Sequence, residues 1–242
     1  MKVELFHHDR IEQALANCQK KHTALYMPQA VDARLEGELP WNRFITTPSL
    51  VVTGIPTGEK EAFTIYWHQQ TDFATPYGLQ QANMQGLVNG AGRFPQIMFD
   101  TIYALAAAQH QHLVIPHRKL LELPSDPINI KDAEKDPRVI AILDGQARVA
   151  RYLQAHAKAY NKDEIGIWHA NDLNKNSPLA RLLFLGVGSL SLGGLSGLGG
   201  GRFAGVRNAS AEGTQNLEKE IESIGDKHIK ALELLERSRL RK

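Results

Sequence analysis

Two periods of apolar residues share this chain, and their alternation predicts its elements. Lys2 to Phe6 reads as a short strand, and Arg10 to Lys20 as a helix with Ile11, Leu15 and Cys18 on one face. Ala24 to Met27 reads as a second strand. Leu50-Val51-Val52-Thr53 and Phe63-Thr64-Ile65-Tyr66-Trp67 are strand-forming runs around a loop rich in Gly and Pro, so the two should pair as an antiparallel hairpin. Helical spacing then takes over. Tyr77 to Leu87 and Phe94 to Ala108 predict two helices, the second with Ile97, Met98, Ile102 and Leu105 as its buried stripe. Asn89-Gly90-Ala91-Gly92 between them has the residues of a sharp reversal. His112 to Pro116 is a weak strand, followed by a loop at Leu123–Pro127. Asp136-Pro137 reads as an N-cap with Pro at the first helical position. The helix it opens runs to Leu143, is broken at Asp144-Gly145 and resumes from Gln146 to Tyr160. Glu164–Trp168, Leu182–Leu185 and Arg202–Val206 are strands. Thr214 to Arg241 is one long helix whose apolar face carries Leu217, Ile221, Ile224, Leu232 and Leu235.

The expected fold is therefore α+β: a mixed sheet with several helices, in a single domain spanning 1–242, with the C-terminal helix at its periphery. With 28 Lys and Arg against 26 Asp and Glu, the net charge of +2 gives no global attraction to nucleic acid or acidic lipid. The one cysteine, Cys18, allows no internal disulfide and no cysteine-type zinc cluster. The N-terminal residues lack the apolar core of a secretory signal, and the expected location is the cytoplasm. Between Arg181 and Arg202 lie 20 uncharged residues, long enough for a membrane span, but eight of them are Gly and three are Ser. That makeup predicts a protein without a membrane span.

This Gly/Ser/Leu segment, 186–201, is the most unusual feature of the chain, and it reads in several ways. As a phosphate cradle it lacks the G-K-[ST] of a Walker loop and an intact G-x-G-x-x-G, so no cofactor is predicted. As a glycine-rich loop of the kind CRISPR-type RNA-binding proteins carry near their C-termini, it could grip nucleic acid with help from Arg202, Arg207 and the basic tail Arg237–Lys242. As a plain structural loop it would be flexible or buried.

A further reading rests on the frame around it. The pattern Leu182-Leu183-Phe184-Leu185-Gly186 … Gly201-Arg202-Phe203-Ala204-Gly205-Val206 resembles the C-terminal end of C-type-lectin-fold variable proteins of diversity-generating retroelements. The resemblance covers the last third of the chain. It implies a C-type-lectin-like fold there, non-enzymatic ligand binding, and contact positions at Val187, Ser189, Leu190, Ser191, Leu192, Leu195, Ser196 and Leu198, with Arg202 beside them. The implied partner is a protein or another macromolecule. On this reading Leu182–Leu185 and Phe203–Val206 lie in one sheet, with 187–200 largely at the surface.

Other residues could carry chemistry. His110-x-His112 with His117 has metal-like spacing but no nearby carboxylate to complete a set. His169 and Asp172, after the strand ending at Trp168, could serve a hydrolase as base and orienter, although no nucleophile motif accompanies them. Trp67-His68 likewise ends a strand. Asn89–Arg93 could form an anion nest, or simply cap a helix. A binding protein is the leading expectation, with nucleic-acid binding and hydrolysis as the alternatives.

Overall fold

A computed structural model describes residues 2–124, 127–168, 173–188 and 190–207. In chain order they form β1 (Val3–His8), α1 (Ile11–Gln19), β2 (His22–Ala24), α2 (Met27–Leu35), β3 (Ile45–Gly54), β4 (Phe63–Trp67), α3 (Pro76–Met84), β5 (Gly92–Arg93) and α4 (Gln96–Gln109). A 3-10 turn follows at Gln111–Leu113, then β6 (Val114–Pro116), α5 (His117–Leu121), β7 (Ile128–Asn129), α6 (Ile130–Ala133), α7 (Pro137–Leu143) and α8 (Gln146–Tyr160). The described chain ends with β8 (Glu164–Trp168), β9 (Leu179–Val187), β10 (Leu190–Gly194) and β11 (Gly201–Arg207). The helix expected over Thr214–Arg241 lies outside the described residues. Met1–Val206 forms one compact unit.

The class is α+β. The main path of the sheet runs β1-β11-β3-β9-β10-β8-β7, with β4 and β6 branching from β3. The predicted hairpin is present: Leu50 pairs with Trp67 and Gly54 with Phe63, antiparallel. Inside it the Thr53 and Thr64 hydroxyls share a 2.9 Å hydrogen bond. β3 is buried along its whole length, and so is β9 as far as Gly186. Alternate residues of these strands feed two cores, one on each face of the sheet. Val51, Leu183 and Leu185 join α2, α7 and α8 on one face, while Leu50, Val52 and Leu182 join α1, α3 and α4 on the other. Strands covered on both faces read as continuous apolar runs, which is why Leu182–Leu185 is recognisable in the sequence.

Several helix boundaries follow their capping chemistry. Asp136 caps α7 by accepting from the Arg138 backbone N–H, and its carboxylate also pairs with the buried Arg138 guanidinium. Thr75 caps α3 through the Gly78 N–H. The reversal after α7 uses Asp144 in the left-handed region, at φ 56°.

Two expectations need correction. The run Ala24–Met27 is not one strand: β2 ends at Ala24, and Met27 opens α2, with Pro28 in its first turn. Gln29 Oε1 accepts from the Tyr26 N–H and Ser49 Oγ from the Met27 N–H, which satisfies the free donors at that end. The buried stripe of α4 is Phe99, Ile102 and Ala106, while Ile97 is 77% exposed and Leu105 41%. This helix is apolar around most of its circumference, so periodicity leaves its rotation undetermined. Asp100 sets it, by accepting from the Thr57 N–H and hydroxyl at 3.0 and 2.6 Å and so holding its own side of the helix outward.

Candidate functional site

Leu182–Leu185 and Phe203–Val206 do lie in one sheet, as parts of β9 and β11, with β3 between them. The segment between them is not a single surface loop. Leu190–Gly194 forms β10, a strand inside the sheet that pairs antiparallel with β9 and parallel with β8. Leu190-Ser191-Leu192 alternates with period two, a strand signal masked by the surrounding glycines.

The candidate contact residues therefore divide. Val187 is exposed at the β9–β10 turn, Ser196 is exposed, and Leu195 is half-buried. Leu192 and Leu198 are buried in the two cores, the first 0% and the second 3% exposed, so their side chains are structural and not at the surface. Ser189 lies outside the described residues; Leu190 and Ser191 are placed by their backbone in β10. Arg202 is half-buried on β11 opposite His7. His169 and Asp172 lie outside the described residues.

One row of cross-strand partners crosses the sheet. Phe6 pairs with Phe203, Phe203 with Thr46, Thr46 with Phe184, Phe184 with Gly193, and Gly193 with Trp168. Directly paired residues present their side chains on one face of a sheet. Gly193 stands in this row between two aromatic residues, with the Trp168 main chain packed against its Cα. Phe44, Trp168, Phe184, Val187, Gly194, Leu195 and Ser196 line an apolar slot of about 210 Å³. Phe44 and Phe184 stack with ring centroids 4.7 Å apart, and Trp168 remains 46% exposed. Sequence reasoning missed all three aromatics as site residues. The only available signal was a tryptophan closing a strand, since Phe44 and Phe184 meet only through the β3–β9 pairing.

The path of the segment is fixed mainly from outside it. The Leu195 N–H donates to the Leu182 carbonyl at 2.9 Å, and the Ile11 N–H to the Gly199 carbonyl at 2.6 Å. Arg181, nearly buried, donates to the Leu195 and Asn89 carbonyls at 2.7 and 2.5 Å. Asn83 Nδ2 donates to the Leu198 carbonyl at 3.0 Å. At the other end of the slot the buried Arg34 guanidinium donates to the Gly186 and Arg43 carbonyls, at 3.1 and 2.6 Å, and lies over the Trp41 ring. One cation thus fixes the chain beside both Val187 and Phe44. His156 Nε2 donates to the Gly188 carbonyl at 3.2 Å, and burial lowers its pKa, favouring the neutral ring.

The glycines fall into two groups. A Cβ on Gly90, Gly193 or Gly194 would collide with its neighbours, the last with Val51 Cγ1 at 2.9 Å. A Cβ on Gly197 or Gly199 would meet nothing within 4 Å, and neither residue needs a left-handed φ. The backbone is pinned where glycine is required and free to carry side chains beside Ser196.

The other candidates within the described residues make contacts inside the fold. His112 pairs with Asp144 at 2.9 Å and His117 Nδ1 bonds with Thr64 Oγ1 at 3.1 Å; among the described residues no group of three His, Cys, Asp or Glu could hold a metal ion. Arg93 donates to the Gln85 and Gly86 carbonyls and so caps the end of α3. Among the described residues no helix is long and apolar enough to cross a membrane.

A solved structure from Nanoarchaeota, described as the accommodation of massive sequence variation by the C-type lectin fold, superposes on this chain with a TM-score of 0.77. The two share 31% sequence identity over 85% of this chain and 98% of that one. The chain belongs to the C-type-lectin-fold variable proteins. No family profile and no curated protein matches it. The likeness to the nanoarchaeal variable protein extends well beyond the last third, where the sequence first pointed to it. It supports neither nucleic-acid binding nor hydrolysis. In this C-type-lectin-fold chain, the backbone at Gly186, Arg43 and Leu195 beside the slot is held by the buried Arg34 and Arg181 side chains.

Proposed function

We propose that this protein is a non-enzymatic binder whose recognition surface runs from Val187 across Leu195 and Ser196 to Gly199. Ser189, Leu190 and Ser191 enter the proposal by their place in the same run, and Arg202 by its place at the start of β11, which follows the run in sequence. The observation that carries it is the separation between what holds this segment and what it displays. Its main chain is tied to Leu182, Arg181, Asn83 and Ile11, while the positions at 187, 196, 197 and 199 point no side chain into the core. A surface built this way tolerates change in its own residues, because surface substitutions away from caps, cores and strained backbone usually alter stability by less than about 0.5 kcal/mol. The nanoarchaeal relative is described as accommodating massive sequence variation. The proposal extends that property to these positions here, with rewriting by a diversity-generating retroelement as its source.

Two tests apply. An imperfect repeat of the 186–206 coding region beside a reverse transcriptase gene is the expected genomic setting; a lone gene without such a repeat contradicts the retroelement part. For binding itself, a display library randomised at Val187, Ser196, Gly197 and Gly199 should remain folded and yield binders to unrelated soluble proteins. A library that folds but yields no binder argues against recognition at this surface.

A further inference from the structure

We infer that the turn displaying Val187 is an acid-sensitive latch: a proton on His156 releases it, and recognition at Val187 is confined to neutral and higher pH. The loss of recognition rests on the binding reading above; the latch itself does not. Val187 stands between Gly186 and Gly188, and a buried side chain holds each of these glycines by its carbonyl. Arg34 of α2 donates to Gly186 at 3.1 Å, and His156 of α8 donates through Nε2 to Gly188 at 3.2 Å. Val187 is 38% exposed, whereas Arg34 and His156 are 1% and 0% exposed. Across the turn Val187 pairs with Leu190, and Gly188 holds a left-handed φ of 62°.

The surroundings of His156 suit a neutral ring. It packs among Trp41, Tyr152 and Tyr160, with ring centroids 6.3, 6.3 and 4.9 Å away. The Arg34 guanidinium lies 5.4 Å from the centroid of the same Trp41 ring. Among the described residues the charged groups acting on His156 are Arg34 on α2 and Lys162 beyond the end of α8, both cations; Tyr152 and Tyr160 are the titratable groups beside it. A carbonyl only accepts, so Nε2 carries the proton of the neutral ring and a second proton goes to Nδ1. That proton makes a second buried cation near Arg34, which is unfavourable unless opposite charge or water offsets it. Opening the turn brings water to the ring with loss of one hydrogen bond, a small local unfolding. Burial first, then Arg34 and Lys162, hold the ring's pKa below 6.5 against the raising effect of the Gly188 bond. The closed turn thus excludes a proton that the open turn accepts. It is shut above about pH 6.5 and opens as pH falls below that.

The test follows the full chain by NMR from pH 8 to pH 5. Amide-exchange protection at 186–188, corrected for the intrinsic pH dependence of exchange, reports the turn, and the His156 ring carbons report its protonation. Between pH 8 and pH 5 the open turn should gain population severalfold, to a limit of about thirtyfold set by an unperturbed imidazole. His156→Gln, which keeps an N–H donor and does not titrate, should abolish this change. The same pH dependence in that variant, or turn protection in the parent that stays constant down to pH 5, overturns the latch. The second measurement needs only the parent chain, so a variant that fails to fold leaves the test decisive. A turn that opens as the ring protonates, with a display library that yields no binder, keeps the latch and removes recognition. A turn that stays shut, with a library that yields binders, removes the latch alone.

Discussion

Gly193 lies against the backbone carbonyl of Trp168, so closely that a Cβ on Gly193 would overlap the carbonyl oxygen. Its φ of +142° is also one that L side chains rarely adopt. Contact and conformation both demand glycine, and both serve the same end: they bring β10 in beside β8. Gly193→Ala should therefore destabilise the protein by about 3 kcal/mol or more, since clash and backbone strain add. Urea denaturation measures it, and a change below 1 kcal/mol would mean that the strands separate without cost.

Arg181 joins the Leu195 carbonyl to the Asn89 carbonyl across the edge of the recognition surface. Arg181→Ala leaves these carbonyls without that donor, and hydrogen bonds to a charged group contribute about 1.5–3 kcal/mol. The expected loss is about 2–4 kcal/mol, together with faster amide exchange at 195–199. Unchanged exchange there would show that the segment is held by its own main chain alone.

The hairpin, the α7–α8 break and the two apolar strands framing the Gly-rich segment were legible because each rests on local chemistry. Asp136 before Pro137 is a cap wherever it occurs, and Leu182–Leu185 is apolar because both faces of its strand are covered. The rotation of α4 was not legible, because its phase is set by Thr57, which is distant in sequence from Asp100. β10 was hidden for a similar reason: Gly193 and Gly194 read as breakers locally, whereas Trp168, Val51 and Arg181 require them. The slot aromatics meet only through strand pairing. Val187 and Ser196 are exposed, as a surface reading of the segment expects, but Leu192 and Leu198 could not be assigned to the interior before β10 and the second core were known.

His68 ends β4, and its Nε2 donates to the Ala141 carbonyl at 2.8 Å. Burial lowers its pKa from 6.5 to about 4, against the raising effects of that hydrogen bond and of Asp144, while His112 and Arg148 add to the lowering. The folded state therefore resists a proton that the unfolded chain accepts below its ordinary pKa. Stability conferred by the neutral ring is present above about pH 6.5 and is lost as pH falls toward 4. Between pH 7 and pH 5 the loss from this group is on the order of 2 kcal/mol. His68→Gln should flatten the stability profile in that window, and an unchanged profile would remove His68 as its source.

The central claim is that the segment's backbone is held independently of the side chains it displays. The most direct measurement is urea denaturation of one variant carrying Val187→Thr, Ser196→Tyr, Gly197→Asp and Gly199→Arg. The account predicts an unfolding free energy within about 1 kcal/mol of the parent, with an unchanged dependence on urea, because none of these positions faces a core and a Cβ at either glycine meets open space. A loss of 3 kcal/mol or more would show that these side chains are part of the fold, and would contradict the recognition surface proposed for them.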